Sequence, residues 1–208
     1  DGEVGFCVGG VDFSLRELQT KTVLVSTAPA TFAAWRNARL SDPGVCSVTE
    51  VAITEGGRSA SWVIQTFGGD FPSTAHVYHA SLRDLTRPHA PVVSLDASHM
   101  PGTSNVNGLS ASDTTIVVRV GAAGRLYRID VGTRDMVLLT ESPLAIGTPV
   151  RPQVIGDDVY WEDWRSGGAV VLRSVDGGPV ETLLDDERVH HIGVAVDDDR
   201  ITWQRAEN

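Results

Sequence analysis

Lysine is almost missing from this chain: Lys21 is the only one in 208 residues, and 17 basic side chains stand against 27 acidic ones for a net charge of −10. Grip on nucleic acid needs a stripe of basic residues over the phosphates, so that partner class is excluded. No run reaches the 18 apolar residues of a membrane span, which excludes membrane insertion by a helix. No cationic, apolar N-terminal segment reads as a signal. Cysteine is nearly as scarce. Cys7 and Cys46 can close one loop across the N-terminal fifth of the chain or remain two buried thiols. Covalent and phosphate chemistry are equally short of residues: no G-x-S-x-G elbow occurs, and the Gly-Gly pairs at 9, 56, 68, 167 and 177 lack both a Lys-Ser/Thr partner and a strand-to-helix context. No stretch holds a capped 3.6-residue apolar period; Thr31 to Leu40 is the one helical candidate.

With 41% hydrophobic residues, 21 Gly and 10 Pro, the composition is ordinary for a globular chain. Its length suits one compact domain or two small ones. The first residue is Asp1 rather than Met, and with the paired cysteines this favours an exported, bacterial-like protein, extracellular, periplasmic or on the cell surface.

The organising feature is a repeat. Ile116, Val159 and Ile201 open equivalent apolar runs 43 and 42 residues apart, and Trp62-Val-Ile-Gln opens the same pattern 54 residues before Ile116. Each unit contains four short β runs, a to d, set apart by Gly, Asp, Pro or Ser. They are expected at 48–54, 61–66, 75–82 and 91–96; at 105–111, 115–120, 125–131 and 135–140; and at 152–155, 158–163, 169–175 and 179–184. The start of the chain supplies runs 4–8, 11–17 and 22–26, and the end supplies an a and a b run within 190–205.

Four antiparallel strands per 40 to 45 residues is the pattern of a β-propeller blade. The predicted fold is all-β: a single propeller domain over 1–208, with units at 1–47, 48–104, 105–151, 152–189 and a partial 190–208. Either four blades close by pairing terminal strands, which hides sheet edges, or the chain is a fragment of a larger propeller. A ring completed in trans would make an oligomer.

The run Val159-Tyr-Trp-Glu-Asp-Trp-Arg-Ser-Gly-Gly-Ala-Val-Val-Leu-Arg-Ser-Val-Asp-Gly-Gly, with Ile192-Gly-Val-Ala-Val-Asp after it, resembles a YWTD repeat of the low-density-lipoprotein-receptor type propellers. That resemblance implies a fold and says little about a ligand. Asn105-Val-Asn-Gly-Leu-Ser-Ala resembles the P-N-G-L-A strand of the gluconolactonase and regucalcin family, in which the Asn ligates a divalent metal such as calcium. Here that Asn is Asn107. Thr49 and Ile192 fall where the family carries carboxylate ligands, so the metal site carries over no further than Asn107.

In a propeller, a–b and c–d turns lie at one face and b–c and d–a connections at the other. The long connections, 27–47, 66–74, 97–104 and 141–151, all belong to the second face. Long loops on a rigid scaffold concentrate binding residues, and this face carries Trp35 with Arg36 and Arg39, Phe67 and Phe71, and Trp164 with Arg165. Exposed aromatics beside guanidiniums suit a sugar ring or a protein partner; the same residues also suit loops packed onto the blade tops. Trp161 and Trp203 share one repeat position with Val118 and Ile64 and read as core between blades.

His76 and His79, three apart on a strand, point to opposite faces and cannot share a metal. His89 and His99 fall at opposite ends of their unit, while His191 enters an a strand near the channel mouth. The acidic clusters at 157–158, 185–187 and 197–199 lack calcium-loop spacing and read as turns. Residues 156–208 carry 13 acidic and 5 basic side chains, so the negative charge lies mostly in the last quarter. The expectation is a non-catalytic module, without cofactor, that binds a protein, peptide or glycan through the b–c and d–a face. The alternative is a metal-dependent, lactonase-like or lyase-like enzyme resting on Asn107 and His191.

Overall fold

The computed structural model describes residues 14–16, 23–26, 45–54, 57–67, 74–84, 89–100, 105–121, 124–141, 152–165, 168–186, 192–197 and 200–205. All the regular elements among them are strands. In chain order they are β1 (Ser14–Arg16), β2 (Val23–Ser26), β3 (Val45–Ile53), β4 (Ser59–Phe67), β5 (Thr74–Ser81), β6 (Val93–Leu95), β7 (Val106–Ala111), β8 (Thr115–Val120), β9 (Arg125–Asp130), β10 (Met136–Glu141), β11 (Gln153–Ile155), β12 (Asp158–Arg165), β13 (Gly168–Ser174), β14 (Val180–Asp186), β15 (Ile192–Asp197) and β16 (Arg200–Arg205).

Three sheets hold four strands each, β3 to β6, β7 to β10 and β11 to β14, every one a meander in which sequence neighbours are also ladder neighbours. Two further pairs, β1 with β2 and β15 with β16, form two-stranded sheets. The fold class read from the repeat is the one observed: an all-β chain of four-stranded antiparallel meanders, the sheets of a β-propeller or of a fragment of one. The chain divides into two compact units, Asp1–Val106 and Asn107–Asn208.

Strand ends depart from expectation in an instructive way. β12 runs on to Arg165, with Trp164 opposite Ala169 and Arg165 opposite Gly168. Trp164 and Arg165 are therefore strand residues, not loop residues. Phe67 likewise ends β4 opposite Val45, and Cys46 lies in β3 opposite Thr66. Aromatic and β-branched residues gain more from cross-strand neighbours than from an open loop. The ladders accordingly extend until Gly or Ser interrupts them.

Turn chemistry sets the other end of the blades. Between β13 and β14, Asp176 (φ 45) and Gly177 (φ 70) both take the left-handed region, and Gly178 N–H donates to the Val175 carbonyl at 2.7 Å. This is the Asp-Gly two-residue turn whose twist matches that of paired strands. Between β9 and β10, Asp130 Oδ1 accepts the Thr133 N–H at 2.7 Å, and Arg134 takes φ 66.

In the first unit, Trp62, Val63, Ile64, Val77, Tyr78, Leu95 and Met100 are buried. Trp62 stacks on Tyr78 with ring centroids 5.3 Å apart and planes 7° from parallel. In the second unit all six residues of β8 are buried, so both faces of this strand are covered. Val117 and Leu126 pack with Val154, Val159 and Trp161, which places Trp161 and Val118 in buried positions as their shared repeat site predicts. The side chain of Trp203, the helical candidate 31–40 and the expected strand 4–8 lie outside what is described.

Candidate functional site

Trp35, Arg36, Arg39, Phe71, His191 and Cys7 lie outside the described residues. Phe67, Trp164, Arg165 and Cys46 have their backbone placed, in strands, and their side chains lie outside the description. The ends of the strands nevertheless locate the b–c and d–a end of each sheet, and two polar groups missed at the sequence level, Gln65 and Arg119, sit there.

Gln65, near the end of β4, is fully buried. Its Nε2 donates to Asn105 Oδ1 at 3.1 Å, and its Oε1 accepts the Val106 N–H at 3.0 Å. One side chain thus satisfies both the d–a connection and the first strand residue after it, within the first unit. Arg119, near the end of β8, is only 6% exposed. Its Nη1 donates to Asn107 Oδ1 at 3.4 Å, and burial disfavours its charged form, lowering its pKa. A signal for these residues does exist in the sequence. Gln65, Arg119, Glu162 and Gln204 each follow the repeat position held by Ile64, Val118, Trp161 and Trp203, so one polar residue recurs in every b strand.

Asn107, the residue that would hold a divalent metal in the enzyme reading, is half-buried on β7. Its side-chain oxygen faces the Arg119 guanidinium. A cation on that oxygen would lie beside a fixed positive charge, which opposes the donor set a metal needs. No group of three or more His, Cys, Asp or Glu side chains is placed to hold a metal among the described residues.

The histidines are engaged locally. His76 is buried, with Nδ1 2.8 Å from Ser94 Oγ, and burial lowers its pKa. His79 Nδ1 lies 2.9 Å from Ser61 Oγ. His89 Nε2 meets the Asp84 carbonyl at 2.9 Å in the c–d connection, and sits edge-on to Trp62. In the d–a connection, Asp96 Oδ1 accepts from Ser98 N at 2.9 Å and from Ser98 Oγ at 2.5 Å, and lies 2.8 Å from His99 Nδ1. The Ser98 bonds, then His99, pull the Asp96 pKa down to about 2. Ser98 Oγ donates to the carboxylate and also lies 3.2 Å from His99 Nδ1, and with the Ser98 N–H on the same oxygen the three residues make an Asx-type turn.

The a–b and c–d end of the second unit is a polar clasp between neighbouring sheets. Asp157 Oδ1 accepts from Thr114 Oγ1 and from Thr115 Oγ1 at 3.1 Å. Arg128 Nη2 reaches Thr115 Oγ1 at 3.3 Å and Asp176 Oδ1 at 3.2 Å. Farther along the seam, Ser110 Oγ accepts the Val154 N–H at 3.0 Å. These groups hold sheet to sheet within the second unit.

No protein-family model matches the chain, and no curated protein matches it. Solved structures do. The nidogen/laminin complex is similar at 15% identity with a TM-score of 0.47, over 76% of this chain and 57% of that one. TolB from Acinetobacter baumannii is similar at 16% identity and a TM-score of 0.46, over 80% of this chain and 42% of that one. A protein of unknown function from Bacteroides thetaiotaomicron follows at 13% identity and 0.38, over 74% and 37%. The chain spans between about a third and somewhat over half of the length of these structures.

Proposed function

We propose that the protein is a non-catalytic propeller module that binds a protein, peptide or glycan through the b–c and d–a end of its blades. The observation that carries this reading is the lopsided distribution of connecting chain between the strands. In the second unit the a–b connections are 112–114 and 156–157, the c–d connections 131–135 and 175–179, and the b–c connections 121–124 and 166–167; the long piece is the d–a connection 142–152 between β10 and β11, with 187–191 between β14 and β15. In the first unit the segments 27–44, 68–73 and 96–105 leave the same end, although the c–d connection 82–92 is long as well. Long connections carried by a rigid scaffold are where binding residues concentrate.

Trp35, Arg36, Arg39, Phe67, Phe71, Trp164, Arg165 and His191 all belong to that end by chain position. Trp164 and Arg165 reach it as the last two residues of β12. A sugar face or an aromatic partner side chain would stack on these rings, and guanidiniums would take its hydroxyls or carboxylates. We assign no cofactor, and an exported location suits a module of this kind. No helix among the described residues is long and apolar enough to cross a membrane.

The test is a triple substitution, Trp35→Ala, Phe71→Ala and Trp164→Ala, with binding read on protein and glycan arrays and stability read by urea unfolding. Loss of a reproducible array signal at an unchanged unfolding midpoint supports the reading. Collapse of the fold, or a signal that survives the triple change, overturns it.

A further inference from the structure

The Arg119 guanidinium is buried without a counter-charge. Among the described residues its one partner is a neutral amide oxygen, that of Asn107, at 3.4 Å. Burying a cation is costly unless it is paired, and nothing in the packing requires a cation here. β8 is otherwise Thr, Ile and Val, so Arg119 is the one charge in a buried strand.

The route taken by the side chain shows what it serves. Val117 and Arg119 are two apart on β8 and share a face, and Val117 packs against Val154 and Trp161 of the next sheet. Ser110 faces that sheet too, since its Oγ accepts from Val154 N. Asn107 is three residues from Ser110 on β7 and so lies on the other face. For Arg119 to reach Asn107 it must pass around β7, which is the edge strand of its sheet, and Gly108 leaves that edge without a side chain in the way. The charged tip therefore stands at the β7 edge of its sheet, near the end of β8. Asn107 turns its oxygen to the guanidinium, and its Nδ2 amide hydrogens have no acceptor among the described residues. The result is a guanidinium fork and an amide donor side by side, a cluster with more donors than acceptors.

We propose that Arg119 and Asn107 form an oxyanion-binding site at the β7 edge of their sheet, taking a carboxylate or a phosphate. A planar guanidinium with a neighbouring amide matches two oxygens of such a group, and the oxyanion supplies the charge that the buried cation lacks. The site deepens the binding reading above by naming a ligand chemistry; it rests on that reading only for the source of the oxyanion, which is a peptide carboxylate, an acidic sugar or a free anion.

The experiment titrates the uniformly 15N-labelled 208-residue protein at constant ionic strength with sodium acetate, inorganic phosphate, glucuronate and a capped hexapeptide bearing one central glutamate. The backbone amides of Asn107 and Arg119 should shift saturably with at least one probe. Arg119→Gln should weaken binding at least tenfold, and Arg119→Lys several-fold, because a point charge keeps the attraction and loses the fork. Asn107→Ala provides a second variant should Arg119→Gln fold poorly, and should weaken binding several-fold. Preference for the peptide, for glucuronate or for the bare anions identifies the source. Absence of a saturable shift with all four probes overturns the site, and so does an unchanged affinity in Arg119→Gln. Array binding that is lost in the aromatic triple variant while acetate or phosphate still titrates Arg119 counts against the ligand source alone. Array binding without any oxyanion response sinks the site and leaves the module reading standing.

Discussion

Asp157, in the turn between β11 and β12, accepts a hydrogen bond from Thr115 of β8 at 3.1 Å and a second from Thr114 on the same oxygen. Two sheets of the second unit are thereby joined by one carboxylate oxygen. The neighbouring Arg128 ties Thr115 to Asp176, so the clasp has two strands of contact.

Asp157→Ala removes both acceptances and should cost about 1–2 kcal/mol, the range for hydrogen bonds to a charged group at a partly exposed site. Asp157→Asn keeps the oxygen and should lose less than half as much. Urea midpoints with an unchanged slope would check both, and an alanine variant as stable as the parent would remove Asp157 from the account of how the sheets are held.

Gln65→Leu deletes one donor and one acceptor in a fully buried place and leaves the Val106 N–H without its partner. A loss of about 2–3 kcal/mol is expected. Amide hydrogen exchange at Val106 should speed up in step with it. Gln65→Glu retains the acceptor for Val106 but loses the donor to Asn105 and buries a carboxylate, so its deficit should shrink as pH falls towards 4 and the group protonates.

Acid should weaken the first unit through His76. Burial keeps this imidazole below its ordinary pKa of 6.5, so the unfolded chain binds a proton that the folded chain refuses. The stability it contributes is complete above pH 6.5 and is lost as pH falls from there towards the lowered folded value. Unfolding midpoints at pH 8, 7, 6 and 5 should decline more steeply in the parent than in His76→Gln. Equal slopes would show that His76 titrates alike in both states.

Gly177→Ala places a Cβ at φ +70 and 3.1 Å from Arg128 Nη1. The backbone part should cost about 1 kcal/mol. Displacement of Arg128 from Asp176 adds a smaller part, which a double-mutant cycle with Arg128→Ala separates. In that background only the backbone part should persist.

The repeat, its four-stranded content and most strand positions were legible from residue order. β8 spans the residues expected of it, 115–120, because a run of Thr, Ile and Val between Ser-Asp and Gly can only be a short strand. The Asp-Gly turn at 176–177 is likewise local chemistry, since both residues tolerate positive φ. Placing Phe67, Trp164 and Arg165 in loops failed at the ladder ends. Whether a strand runs two residues further depends on its neighbour across the sheet: Phe67 is held opposite Val45, distant in sequence, whereas Trp164 and Arg165 pair with Ala169 and Gly168 across a tight hairpin whose exact turn the residue order did not fix.

The sequence by itself thus determined the four-stranded sheets, through the period-2 and 43-residue patterns. It could not separate a polar residue on a solvated surface from one sealed between strands. Gln65 and Arg119 look alike as polar interruptions of an apolar run. Among the described residues, tertiary structure gave Gln65 partners for both its amide nitrogen and its oxygen and left Arg119 buried against one neutral acceptor, because hydrogen bonding and desolvation are set by neighbours in space and not by neighbours in the chain.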